Sequence, residues 1–264
     1  MTYILQLPLV TEMKGKYWFF AIRLSNKPGV LSKVSGIFAK ANINILNGVH
    51  TITEAGHADW VLLADFTNSK VEPSEIAEKL AKLPEVINVD YGIKVLGELG
   101  FPAFDFKLVF HEENVSIWRA TWFTTFFGGI AKYFKESGEV FLYQTAYVAG
   151  YMIAKWWMNK AKTSDPLKLI QLAGEALKVF GWIRDYEVSR FQYEPLEVVI
   201  RIKENIESQA HKNLKVKTNC YFMMGLLAGY IAGIFNRQMI AREPKCEALG
   251  NEFCEYHIVP YKAT

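Results

Sequence analysis

The chain has 264 residues, 51% of them hydrophobic and 14% aromatic, and a net charge of +3. That length allows two domains with a core each, and the apolar fraction excludes disorder through the bulk of the chain. The charge is spread without a long Lys/Arg run and no helix-turn-helix or zinc-finger spacing occurs, so nucleic acid is not expected as a direct partner. The opening residues lack a charged stretch followed by an apolar one, which predicts no secretory leader and a cytoplasmic setting.

Tyr17 to Leu24 is aromatic and β-prone, and it ends at the turn cluster Ser25-Asn26-Lys27-Pro28-Gly29. From Val30 the apolar residues Leu31, Val34, Ile37 and Phe38 recur at helical spacing to about Lys40. Ile43 to Thr53 and Ala58 to Thr67 read as strands joined through Glu54-Ala55-Gly56. Pro73 starts a second helix with Ile76, Leu80 and Leu83 on one face, and Val86 to Leu96 is a fourth strand. His50 and His57 are expected on the surface. The order is βαββαβ.

That order, with Asn26-Lys27-Pro28-Gly29-Val30-Leu31 at the first turn and Ala41-Asn42-Ile43-Asn44-Ile45 opening the second strand, resembles an ACT domain. The resemblance covers residues 15–97 of a first domain set at 1–97. It implies a ferredoxin-like ligand-sensing module that pairs with a second copy and binds an amino acid near the first turn. Elementary chemistry fits such a site: free amides at Val30 and Leu31 suit a carboxylate, Gly29 permits close approach, and Asn26 can accept from an ammonium or donate to a carboxylate. Most ACT domains carry Asp where this chain has Asn26. A module kept only for dimerisation is the other reading.

Gly97, Gly100 and Pro102 break the pattern, so a connecting segment is set at 98–117, apolar enough to pack on a domain as a strand. The second domain, 118–264, is expected to be α+β as well, an antiparallel sheet with several helices. Trp118 to Phe134 is densely aromatic and split by Gly128-Gly129; helices follow at Val140 to Ala161 and from Asp165-Pro166 to about Phe180. Tyr186 to Tyr193 and Leu196 to Lys203 read as a strand pair, and Met239 to Arg242 and Glu252 to Val259 as closing strands. Between them, Thr218 to Asn236 carries no charge and has glycines at 225, 229 and 233. Asn219, Cys220 and the small-residue stripe suit a helix packed inside protein, and no membrane association is expected. Trp118, Trp122, Phe126, Phe127, Tyr147, Tyr151 and Trp182 form either a pocket for flat or greasy molecules or a plain core.

All three cysteines, Cys220, Cys246 and Cys254, fall in the last 45 residues, and Glu243 stands three positions before the second. Three cannot all pair within one chain, so they are either metal-ligating thiolates or small buried hydrophobes. Leu142-Tyr143-x-x-Ala146-Tyr147-x-x-Gly150, Phe180-Gly181-Trp182, Gly225-x-x-x-Gly229 and Glu243-x-x-Cys246-x-x-x-Gly250-x-x-x-Cys254-x-Tyr256 are similar to the vinyl-reductase-type domain. That family occurs in bacteriochlorophyll-pathway proteins, in sensors of phenol-responsive activators and in a trafficking-complex subunit. The resemblance implies a structural zinc held by Cys220, Glu243, Cys246 and Cys254. In the phenol sensors a His and a Trp line the ligand pocket; this chain offers Trp residues and no evident His at that place.

No nucleophile, base and orienter occur together, and no catalytic residue or dinucleotide fingerprint is assigned. The expectation is a ligand-sensing regulatory homodimer. It would bind an amino acid or small carboxylate in one domain and a hydrophobic or aromatic molecule in the other, and signal to a downstream protein. The alternative is a carrier or enzyme acting on an aromatic or tetrapyrrole-like compound.

Overall fold

A computed structural model describes residues 12–54, 56–110 and 113–262. Ala55 of the expected strand link, and the opening residues on which the leader expectation rests, lie outside them. The chain divides into two compact units between Val115 and Ser116.

The first unit runs β1 (Tyr17–Ser25), α1 (Val30–Lys40), β2 (Asn44–Glu54), β3 (His57–Asp65), α2 (Pro73–Ala81), β4 (Val86–Leu96) and β5 (Leu99–Pro102). The expected βαββαβ order is present, and the strands lie antiparallel in the order β2-β3-β1-β4-β5. Alternation along central β1 explains its place: Phe20, Ile22 and Leu24 pack with Val34, Phe38, Ile76 and Leu80 of the two helices, while Phe19 joins Leu63 in a separate cluster. α2 starts at Pro73 behind a reciprocal cap in which the Glu72 and Glu75 carboxylates accept from each other's backbone N–H. After β4 the chain turns at Gly97 (φ 62) and adds β5 to the same sheet. A short ladder, β6 (Val109–Phe110) with β7 (Glu113–Asn114), closes the unit.

The second unit comprises α3 (Ala120–Ala161), α4 (Pro166–Val179), β8 (Asp185–Tyr193), β9 (Leu196–Lys203), α5 (Ile206–Asn213), α6 (Tyr221–Phe235), β10 (Met239–Lys245) and β11 (Cys254–Pro260). Its sheet is antiparallel in the order β10-β11-β9-β8. Gly128-Gly129 does not split the aromatic stretch: α3 runs through it and breaks at Lys135, with φ 46 and ψ −130. Gly128 is there for contact, since a Cβ would come within 2.5 Å of Leu214 Cδ1. α5 has no counterpart in the sequence reading. Its residues Glu207, Ser208, Gln209, His211 and Lys212 show no apolar period, and its only signal is the N-cap Asn205, which accepts from Ser208 N.

α6 is buried around its whole circumference from Met223 to Gly233, which is why it can lack charge. Its glycines bring it backbone to backbone against α3. A Cβ on Gly225 would lie 2.1 Å from the Tyr143 carbonyl oxygen, one on Gly229 2.0 Å from that of Tyr147, and one on Gly150 of α3 2.1 Å from that of Leu226. Among the described residues no helix is long and apolar enough to cross a membrane.

Candidate metal centre and ligand sites

Four buried groups from different elements meet at the start of α6. Cys220 is the N-cap residue of that helix, Glu243 lies on β10, Cys246 follows it, and Cys254 opens β11. The β10–β11 register slips between Arg242 and Lys245, at the stretch that carries Glu243. The four ligand atoms all lie within 4.8 Å of one another. Cys246 Sγ is 3.6 Å from Cys220 Sγ and 3.9 Å from Cys254 Sγ.

The neighbours hold these groups in place. Cys220 N donates to Glu243 Oε2 at 2.6 Å, Asn219 Nδ2 to the Glu243 carbonyl at 2.8 Å, and Cys246 N to Asn251 Oδ1 at 3.0 Å. Asn205 Nδ2 reaches Cys254 Sγ at 3.3 Å and Cys220 Sγ at 3.7 Å, while Glu247 N points at Cys254 Sγ at 3.3 Å. Glu207 of α5 accepts from Phe222 N and Met223 N, so a buried carboxylate caps the positive end of α6. Sequence spacing does not disclose Asn205 or Glu207 as members of this shell.

Electrostatics asks for a cation here. Burial pushes Glu243 up to about 8 and the Cys220 thiol well above its ordinary value, whereas hydrogen bonds from Cys220 and Cys254 bring Cys246 down to about 5. Glu243 Oε1 is buried with no hydrogen-bond partner among the described residues. An orphaned carboxylate oxygen beside three buried thiols is expensive alone and satisfied by a metal ion, which these four residues could hold.

In the first unit, Asn26, Gly29, Val30 and Leu31 line one cleft of about 440 Å³, together with Lys27 and with His50 of β2. Gly29 adopts φ 84 as the residue before α1, and no side chain caps the helix amides there; of the two amides expected to be free, that of Val30 is not, since it donates to the Lys27 carbonyl at 3.3 Å across the turn. His50, expected as a surface residue, is exposed and lines the cleft.

The aromatic residues separate into groups. Trp118, Trp122, Phe126 and Phe127 belong to a ladder through Phe123 to Trp182 and Phe222, with neighbouring centroids 4.9–6.0 Å apart. Phe127 is buried, while Trp118, Trp122 and Phe126 are exposed. Tyr147 accepts from Met239 N at the start of β10, and Tyr151 donates to Asn236 Oδ1 at the far end of α6. The cavity lies elsewhere: about 150 Å³ between α3, α4 and α6, lined by Ile153, Trp157, Leu177, Trp182, Leu227 and Tyr230 among others. Of the seven aromatics expected to line a pocket, Trp182 does so.

Comparison with known proteins assigns both units. Residues 20–85 match the ACT domain, and residues 198–260 match the domain named for vinyl-4-reductase. The chain carries an ACT domain and a vinyl-4-reductase-type domain. The phenol-responsive sensory domain of the transcription activator PoxR, solved with phenol, shares the fold, with a TM-score of 0.51 at 10% identity over 70% of this chain and 88% of that one. A vinyl-4-reductase family protein from Methanocaldococcus jannaschii aligns over 57% of this chain and 86% of its own, at 18% identity and a TM-score of 0.37. Protein MJ1642 of the same organism is 43% identical over 79 residues, 30% of this chain and 48% of that relative's length. The four-residue cluster belongs to the vinyl-4-reductase-type unit, with Cys220, Glu243, Cys246 and Cys254 all within the matched range.

Proposed function

We propose that the protein is a ligand-responsive regulator in which the ACT cleft binds a small carboxylate and the cavity of the second domain a compact hydrophobic or aromatic molecule. The observation that carries this is the second-domain cavity itself. Its wall is apolar throughout, and the one hydroxyl on it, Tyr230 Oη, is committed to the Leu169 carbonyl at 2.8 Å. Such a wall can hold a molecule but offers no acid, base or nucleophile to transform it. At about 150 Å³ it suits a single-ring compound and is too small for a tetrapyrrole, which disfavours the carrier or enzyme reading. Thermal shift of the full chain with single-ring apolar compounds is expected to show stabilisation. Ala176→Phe, which fills the cavity from α4, is expected to remove that stabilisation while metal content stays unchanged. Equal stabilisation of the filled variant would sink the assignment.

Zinc is the ion we assign to the cluster. Thiolates held at about 2.3 Å in a tetrahedron put their sulfurs about 3.8 Å apart, and the two distances here are 3.6 and 3.9 Å. With Glu243 as fourth ligand no coordination position is left open, so the ion cross-links α6, β10 and β11 and performs no chemistry.

The charge on the ACT cleft favours an acid over a zwitterion. Among the described residues its lining includes Lys27 and His50 and no carboxylate, and Asn26 supplies no negative charge for an ammonium. Titration calorimetry with amine-free carboxylates and with amino acids is expected to give binding that His50→Ala weakens about tenfold, the worth of one charge-assisted hydrogen bond. No heat from any of them would leave the module as a pairing surface between two copies. In this reading the dimer couples the two ligands, and the response passes to a second protein.

A further inference from the structure

The lining of the second-domain cavity is unevenly covered. Ala173 of α4 and Leu226, Leu227 and Tyr230 of α6 are buried, whereas Ile153 of α3 and Phe180 at the end of α4 are 42% and 48% exposed. A cavity meets solvent where its lining is exposed, so this one has an outer end at Ile153 and Phe180 and an inner end at the four buried residues. The polar atoms of the inner end are turned elsewhere. Tyr230 Oη donates to the Leu169 carbonyl at 2.8 Å, so the residue shows the cavity its ring. The Leu226 carbonyl lies against α3, where a Cβ on Gly150 would come within 2.1 Å of it. On α4 the Ala176 and Leu177 carbonyls accept from Phe180 N and Trp182 N, both at 2.9 Å.

We infer that the guest binds one end first: a single ring whose inward half is bare hydrocarbon and whose polar group, where it has one, stays beside Ile153 and Phe180. This rests on the reading of the cavity as a ligand site and adds which molecules that site takes. Alkylbenzenes fit, and so do rings with all their hydroxyls on one side. Rings hydroxylated at opposite ends do not. The reason is the asymmetry of hydrogen bonding. A hydroxyl carried to the inner end gives up its water and finds no partner there, whereas one at the outer end keeps its water. Plain greasiness would rank guests by how poorly water holds them, and isomers with the same groups would nearly tie. A one-ended cavity separates such isomers, because turning the ring cannot bring two opposite hydroxyls to the same end.

The test is thermal shift and titration calorimetry of the full chain in oxygen-free buffer with toluene, 4-methylcatechol and methylhydroquinone. The last two are isomers, with adjacent hydroxyls in the first and opposite hydroxyls in the second. Toluene and 4-methylcatechol are expected to bind, 4-methylcatechol at least about tenfold more tightly than methylhydroquinone, and Ala176→Phe is expected to abolish binding of every guest. Toluene binding with the two isomers equal, with methylhydroquinone ahead, or with 4-methylcatechol not bound at all would overturn the inference and leave the cavity a ligand site. A gap between the isomers that persists in Ala176→Phe would overturn it too, by placing the discrimination outside the cavity. Binding by none of the three would overturn it together with the reading it rests on.

Discussion

Cys246→Ser is expected to empty the metal site and lower stability by at least about 3–5 kcal/mol, a size reserved for loss of a metal or a comparable staple. The argument rests on what the ion leaves behind. Without it three buried sulfur positions remain inside the fold, with a Glu243 Oε1 that has no hydrogen-bond partner among the described residues, and the start of α6 is left tied to Glu243 of β10 through Cys220 N and Asn219 Nδ2. A hydroxyl at 246 cannot replace a thiolate as a soft ligand, so the variant cannot recover by small rearrangement. Metal analysis should find about one equivalent in the parent chain and almost none in the variant, with the loss of stability read by denaturant unfolding. A variant as stable as the parent would mean that the thiols are packing groups and nothing more. Acid should act in the same direction as the substitution, because ligands must be deprotonated to bind and falling pH releases the ion.

Gly229→Ala is expected to be nearly as damaging, although it adds one methyl group. The new Cβ would lie 2.0 Å from the Tyr147 carbonyl oxygen and 2.7 Å from its carbon. Both are backbone atoms of a helix and cannot rotate away, so α3 and α6 must separate along their contact. Overpacking that side chains can absorb costs about 1–3 kcal/mol; here the backbone has to move, and about 3 kcal/mol or more is expected, a fall in melting temperature of roughly 10 °C. Gly129→Ala supplies the contrast. It also lies inside a helix, but its Cβ would meet nothing within 4 Å, so it should be neutral or stabilising by up to about 1 kcal/mol. Similar melting temperatures for the two variants would show that the helices are not in backbone contact.

Much of this arrangement is written in local pattern. The first unit announces itself because alternation along Tyr17–Ser25, the Pro28-Gly29 turn and the Pro73 helix start are all short-range signals, and the strand order follows from them. The four cluster residues are legible because thiols are scarce in this chain and the spacing after Glu243 is distinctive. What escapes is set by contacts distant in sequence. α5 is held by Glu207 on the α6 amides and by Ser208 on Glu247, so its polar residues are buried for tertiary reasons that no periodicity records. Gly128-Gly129 reads as a break because glycine is a poor helix former, yet the helix tolerates it where Leu214 needs the room. Aromatic density points to the wrong place for the cavity, because those rings mostly satisfy one another and the gap opens where Ala173 and Ala176 face Leu226 and Leu227.

α6 begins at the cysteine cluster and, two turns later, presents Leu226, Leu227 and Tyr230 to the cavity. Its fifteen residues are clamped on α3 by glycines, with no side chain between to act as a cushion. A shift or rotation at Cys220 therefore reaches the cavity wall undamped, as along a rod. An ion at one end and a guest at the other would restrain the same body, and whatever factor the ion contributes to the guest's affinity the guest must return to the ion's.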